Sequence, residues 1–166
     1  RGDATWVAPG GGITAASQWR LTTSFTGDAQ PIASNLEVAD TYGYGSLGSA
    51  MTESSGIFTF PSTGFWYITF SGEFYYSGAS RFNQVIIETT TNNSAYNEAA
   101  KNSGGIVQAE SSTTHTAPTS SFLFDVTDTT QCKVRFTIAV SNDSTTTHGS
   151  TDTSTTHMTF IRLGDT

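Results

Sequence analysis

The stretch Gly56-Ile57-Phe58-Thr59-Phe60-Pro61-Ser62-Thr63-Gly64-Phe65-Trp66-Tyr67-Ile68-Thr69-Phe70 decides the fold class. Aromatic and β-branched side chains fit a pleated, half-buried surface, and Pro and Gly punctuate chains that turn. The segment therefore reads as a short strand, a compact turn at Pro61 to Gly64, and a second strand running on to Tyr76. From Phe65 to Ile68 the second run is apolar at every position, which predicts a strand covered on both faces.

Similar runs recur on either side. Trp19, Leu21, Thr23 and Phe25 alternate with polar residues, and Val134, Phe136, Ile138 and Val140 do the same. Gln84 to Thr91, Ser121 to Val126 and His157 to Leu163 are further strand-like runs between Gly, Pro, Asn and Asp turns. Asn92 to Lys101, with Ala-Tyr-Asn-Glu-Ala-Ala, is expected to be a short helical turn, and Ser141 to Thr156 a solvated loop. Eight to ten short strands in one domain predict an all-β, antiparallel sandwich of the jelly-roll type. Residues 1–17, ending near the run Pro9 to Gly12, are expected to be an arm or linker, and 18–166 the domain. The arm begins with Arg1-Gly2-Asp3, a tripeptide integrins can recognise, although a three-residue match is easily met by chance.

Composition supports the same class. Thr and Ser account for 51 of 166 residues, against five Leu and two Lys. That inventory suits strands and turns and excludes a helical bundle, a coiled coil or a doubly wound α/β enzyme. No apolar run approaches the ~20 residues of a helical membrane span. A net charge of −7 without basic clusters argues against nucleic-acid binding. The single cysteine, Cys132, is expected to be a buried inert thiol.

Gly56 to Phe70 resembles the globular heads of complement C-one-q and their tumour-necrosis-factor-like relatives, which carry Gly-x-Phe-x-Cys, a Pro-Gly turn and an aromatic strand. Ser120 to Asp128, Gln131 to Val140 and Met158 to Leu163 are similar to later strands of that family. Phe60 stands where the family often has Cys, and the Gly before the final Phe-Leu pair is absent. The Thr/Ser bias is more like the trimeric jelly rolls on bacteriophage fibres and capsid decorations. The resemblance implies a jelly roll that assembles as a homotrimer.

Apolar residues on both faces of two strands agree with that implication. A lone sandwich has one core, so the second face needs a cover. Copies of the chain packed about an axis are expected to supply it, the alternative being strand twist or a covering loop within the monomer. Phe58, Phe60, Met158 and Phe160 are the expected trimer contacts. Exposed aromatics are the expected binding surface: Tyr42 and Tyr44, set between glycines, and then Tyr75 and Tyr76.

Catalytic groups are sparse. His115, His148 and His157 lie in or beside Ser/Thr-rich loops without a nucleophile-elbow frame or zinc-ligand spacing. Glu73, Glu88, Glu98 and Glu110 leave a paired-carboxylate glycosidase as an alternative. Asp125 with Asp128, and Asn142, Asp143 and Asp152, are oxygen-rich turns that could take Ca²⁺, but no EF-hand pattern is present. The reading is a non-enzymatic, cofactor-free trimer on a virion surface, as a fibre tip binding a host glycan or protein, or as a capsid decoration among other virion proteins. The alternative is a secreted, complement-head-like recognition module.

Overall fold

The computed structural model describes residues 12–109 and 111–166. Fourteen strands follow one another: β1 (Ala15–Leu21), β2 (Phe25–Thr26), β3 (Leu36–Val38), β4 (Thr52–Ser54), β5 (Ile57–Thr59), β6 (Gly64–Ser71) and β7 (Phe74–Tyr76). They continue as β8 (Ser80–Thr90), β9 (Asn97–Ile106), β10 (Thr114–Thr116), β11 (Thr119–Val126), β12 (Lys133–Val140), β13 (Thr146–Thr147) and β14 (His157–Gly164). All pairings are antiparallel, and no helix occurs among the described residues. Two five-stranded sheets, β11-β6-β14-β1-β3 and β4-β5-β12-β8-β9, are joined by a four-stranded sheet, β10-β7-β13-β2.

The turn at Pro61 to Gly64 forms as the sequence indicates. Trp66 turns inward and donates its indole N–H to the carbonyl of Ser62 at 3.1 Å, which satisfies a buried donor and holds the corner. Gly56 is required in the preceding hairpin. Its φ is +81°, and a Cβ there would lie 2.3 Å from the carbonyl oxygen of Ile32.

One aromatic cluster fills the space between the sheets. Phe58 packs edge-on against Trp19 and Phe136 with ring centres 5.3 Å apart, and Phe60 lies the same distance from Trp66. Phe70, Phe74, Phe124, Met158 and Phe160 belong to the same core. Phe58, Phe60, Met158 and Phe160 are only 0, 2, 0 and 0% exposed in the single chain. Their assignment as trimer contacts is therefore corrected: the chain's own core already consumes them. The physical reason is register. Met158 and Phe160 stand opposite Phe70 and Ile68, on the inward side of β6. Strand side chains alternate with period two, so the open apolar residues are the neighbours one position away.

Those neighbours form a row across the outer face. Leu123 of β11, Tyr67 of β6, Ile161 of β14 and Ala16 of β1 are successive register partners, and Leu47 bridges to Ala16. Leu123, Leu47, Tyr67 and Phe65 are 52, 48, 38 and 37% exposed. On the other large sheet the outer side is closed by the chain itself. Tyr96 lies over the Arg135 guanidinium at 4.3 Å, and Arg135 in turn binds the buried Glu88 at 2.8 Å.

Three other expectations change. Asn92 to Lys101 contains no helical turn, because Asn97 to Ile106 is a ten-residue strand registered along β8. Backbone pairing overrides the helix propensity of Ala, Glu and Lys there. The tract Ser141 to Thr156 is anchored rather than solvated. Thr145, Thr147 and Thr156 are 0% exposed, Ser150 donates to the Leu21 carbonyl, and Leu21 donates to that of Thr156. The sheet also begins at Ala15, so Ala15 to Ser17 join the domain instead of the arm. Arg1 to Asp3 and the aromatic Trp6 lie outside the described residues.

Candidate functional site

Arg20, on β1, organises a concavity between two loops. Its register partner is His157, on the outer side of the sheet, where an arginine would ordinarily reach water. Instead it is 1% exposed and its donors are occupied. Nε donates to Glu37 at 2.8 Å and one terminal nitrogen to Asp40 at 2.6 Å. The other terminal nitrogen donates to the Thr41 hydroxyl at 2.8 Å and to the Asp152 carbonyl at 3.2 Å. Burial pulls the pKa of Arg20 down, but the contacts to Glu37 and Asp40 outweigh it, and the net shift is upward.

This guanidinium ties two loops together. Thr41 adds a second tie by donating its hydroxyl to the same Asp152 carbonyl at 2.7 Å. Between the loops lies a cleft of about 320 Å³ lined by Gln18, Thr41, Tyr42, Tyr44, Asp152 and Ser154, among others. The two tyrosines singled out from the sequence thus share one site but play different parts. The Tyr44 hydroxyl accepts the Gln18 backbone N–H at 3.0 Å, so its ring is a fixed wall. Tyr42 is 87% exposed and sits at φ +53°, a conformation in which a bulky side chain is a steric outlier.

Tyr75 and Tyr76 lie elsewhere. Tyr76 packs against the core margin, which gives it a structural role. Tyr75 belongs to a cluster that the sequence did not suggest. His115 Nδ1 lies 3.0 Å from one Glu73 oxygen and His148 Nδ1 lies 3.2 Å from the other. The Tyr75 ring lies 5.4 Å from His115 and 5.7 Å from His148, measured between centres. Only the pairing of β7 with β10 and β13 brings these residues together, so spacing along the chain carries no trace of them. Glu73 also donates its backbone N–H to the hydroxyl of Thr156, two residues beyond the cleft-lining Ser154, at 3.1 Å.

The remaining candidates are separate. Glu88 binds Arg135 and Glu98 binds Lys101 at 2.7 Å, while Glu73 is shared by two histidines, so each of these three carboxylates has its own partners. Glu110 lies outside the described side chains. The Asp128 carboxyl is held below its usual range by the Thr130 hydroxyl and N–H, which it accepts at 2.7 Å each. Asn142 caps the backbone N–H of Ser144 at 3.0 Å. No three His, Cys, Asp or Glu side chains converge on a metal-sized point among the described residues. Cys132 is buried and unbonded to another cysteine.

No protein-family model and no curated protein sequence matches the chain. Two solved structures of murine APRIL are similar in architecture. The crystal structure at pH 5.0 has a TM-score of 0.58 and that at pH 8.5 a TM-score of 0.60. Each is 9% identical, and each match covers 90% of this chain and 98% of the other. At that identity the likeness establishes the fold alone, an all-β jelly roll, over 90% of this chain.

Proposed function

We propose that this chain is the subunit of a non-enzymatic homotrimer that recognises a surface partner through its loops. The observation that carries the proposal is the outer face of the β11-β6-β14-β1-β3 sheet. Leu123, Tyr67, Ile161 and Leu47 form a continuous apolar row there, with Phe65 beside it. Monomeric proteins seldom leave so contiguous a greasy strip on a flat sheet, whereas an isologous or ring contact buries it. The C-one-q-like resemblance and the tumour-necrosis-factor-like fold support three as the copy number.

Among the described residues the candidate carboxylates Glu73, Glu88 and Glu98 have separate partners, which supports binding over the paired-carboxylate alternative. A Thr- and Ser-rich, Lys-poor surface supports placement on a virion, as a fibre tip or a decoration. The second reading, a secreted recognition module, rests on the complement-head resemblance and shares the same assembly. Light scattering of the dilute native protein tests the assembly, and three copies are expected. A stable single-copy species, with a cooperative melting transition that does not vary with concentration, would sink it. Electron microscopy of the parent assembly separates the virion and secreted readings.

A further inference from the structure

We infer that the cleft between Tyr42 and Asp152 binds a neutral, hydroxyl-rich ligand: one sugar unit of a surface glycan. The inference rests on the recognition reading above and names the site and ligand class that reading lacks. Tyr42 supplies the first argument. A non-glycine residue in the left-handed region costs free energy, and such outliers persist where something else requires them. Here a turn sets the conformation, with Gly43 at φ +82° and Tyr44 donating its N–H to the Thr41 carbonyl at 3.1 Å, but the turn needs no aromatic ring, and Tyr42 is 87% exposed. A rigid amphipathic ring held open over a cleft is what stacking on the apolar face of a pyranose needs.

Electrostatics selects the ligand class. Arg20 is the cation in the floor, and its hydrogen bonds to Glu37, Asp40, Thr41 and Asp152 leave it no donor for an anion. A sulfated, phosphorylated or sialylated ligand would therefore lose hydration and gain nothing. Arg20 balances only one of Glu37 and Asp40, and with Asp152 the site is net negative, which repels an anion further. A cation is the competing ligand, and the choline arm of the test below separates it from a sugar. What remains free suits hydroxyls. The Asp152 carboxylate has no ion pair among the described residues, and Thr153 and Ser154 stand beside it on the wall. The Tyr44 hydroxyl accepts from Gln18 and keeps its own proton to donate.

Geometry supplies the third argument. The ties from Arg20 and Thr41 to the Asp152 carbonyl fix both walls before a ligand arrives, so little ordering cost is left to binding. The volume, about 320 Å³, is at the small end of ligand pockets and suits one ring rather than an extended peptide.

Saturation-transfer NMR on the full chain tests this. The probes are glucose, galactose, mannose, N-acetylglucosamine and their disaccharides, with sialyllactose and choline as charged comparisons. Transfer to at least one neutral sugar is expected, and Tyr42→Gly and Asp152→Asn should each weaken it roughly tenfold. Light scattering accompanies every sample. Three results would overturn the site: no transfer to any neutral sugar, transfer undiminished in both variants, or transfer to sialyllactose or choline alone. Dissociation of the assembly by Tyr42→Gly would also overturn it, by making the ring a subunit contact. A wild-type monomer that still binds sugar through Tyr42 would uphold the site and remove only the trimer.

Discussion

At the scale of single residues, Tyr42 and His157 make opposite bargains with stability. Tyr42 holds a left-handed conformation without the packing that normally repays it. Tyr42→Gly should therefore raise stability by about 0.5–1 kcal/mol, seen as an increase of a few degrees in the thermal midpoint. A fall in midpoint would mean the ring is packed in solution. His157 is the reverse case. Burial pushes its imidazole below its ordinary value of 6.5, opposed in part by the backbone of Ser154 and Thr155. The unfolded chain therefore binds a proton that the folded chain refuses. The stability contributed is present above pH 6.5 and is lost as the pH falls through the lowered folded value. Arg20 and Ser71, its register partners, offer no anion to reverse that sign. Thermal midpoints between pH 7.5 and 5.0 should drop more steeply for the native sequence than for His157→Gln, and parallel curves would refute the assignment.

At the scale of elements, the two loops around the cleft depend on one side chain projecting from β1. Arg20→Met keeps the length and removes the charge, leaving the Asp152 carbonyl and the Thr41 hydroxyl tied only to each other. Glu37 and Asp40 are 35 and 71% exposed and can rehydrate, so the loss should be about 2 kcal/mol and not the larger cost of stranding a buried charge. Hydrogen exchange should report it locally, with faster exchange in residues 39–44 and 150–156 and unchanged protection in β6 and β12. Uniform acceleration would show that Arg20 supports the whole sandwich instead. The strands themselves were readable because Phe, Trp, Val and Ile alternate with turns. β9 was not, because its pairing with β8 is a property of the neighbour and not of Asn97 to Ile106.

At the scale of the whole molecule, the open row Leu123–Tyr67–Ile161 determines whether one copy is a complete structure. Tyr67→Lys places a charge at the centre of that row without touching the core, since Tyr67 points away from Trp66 and Ile68. The variant should keep a native far-ultraviolet spectrum and sediment as a single copy, because a desolvated unpaired charge costs several kcal/mol per subunit interface. A variant that remains assembled would move the interface elsewhere on the surface.

Residue types and their period were enough to determine an all-β sandwich, the hairpin corner at Pro61 to Gly64 and the buried thiol at Cys132. Each of these depends on chemistry within a few neighbouring positions. Tertiary structure alone decided which side of β14 is inside, how Arg20 is satisfied, and that His115, His148 and Glu73 meet. A strand's alternation defines two faces but does not say which one the opposite sheet will cover, and contacts between distant segments exist only once pairing brings their strands together.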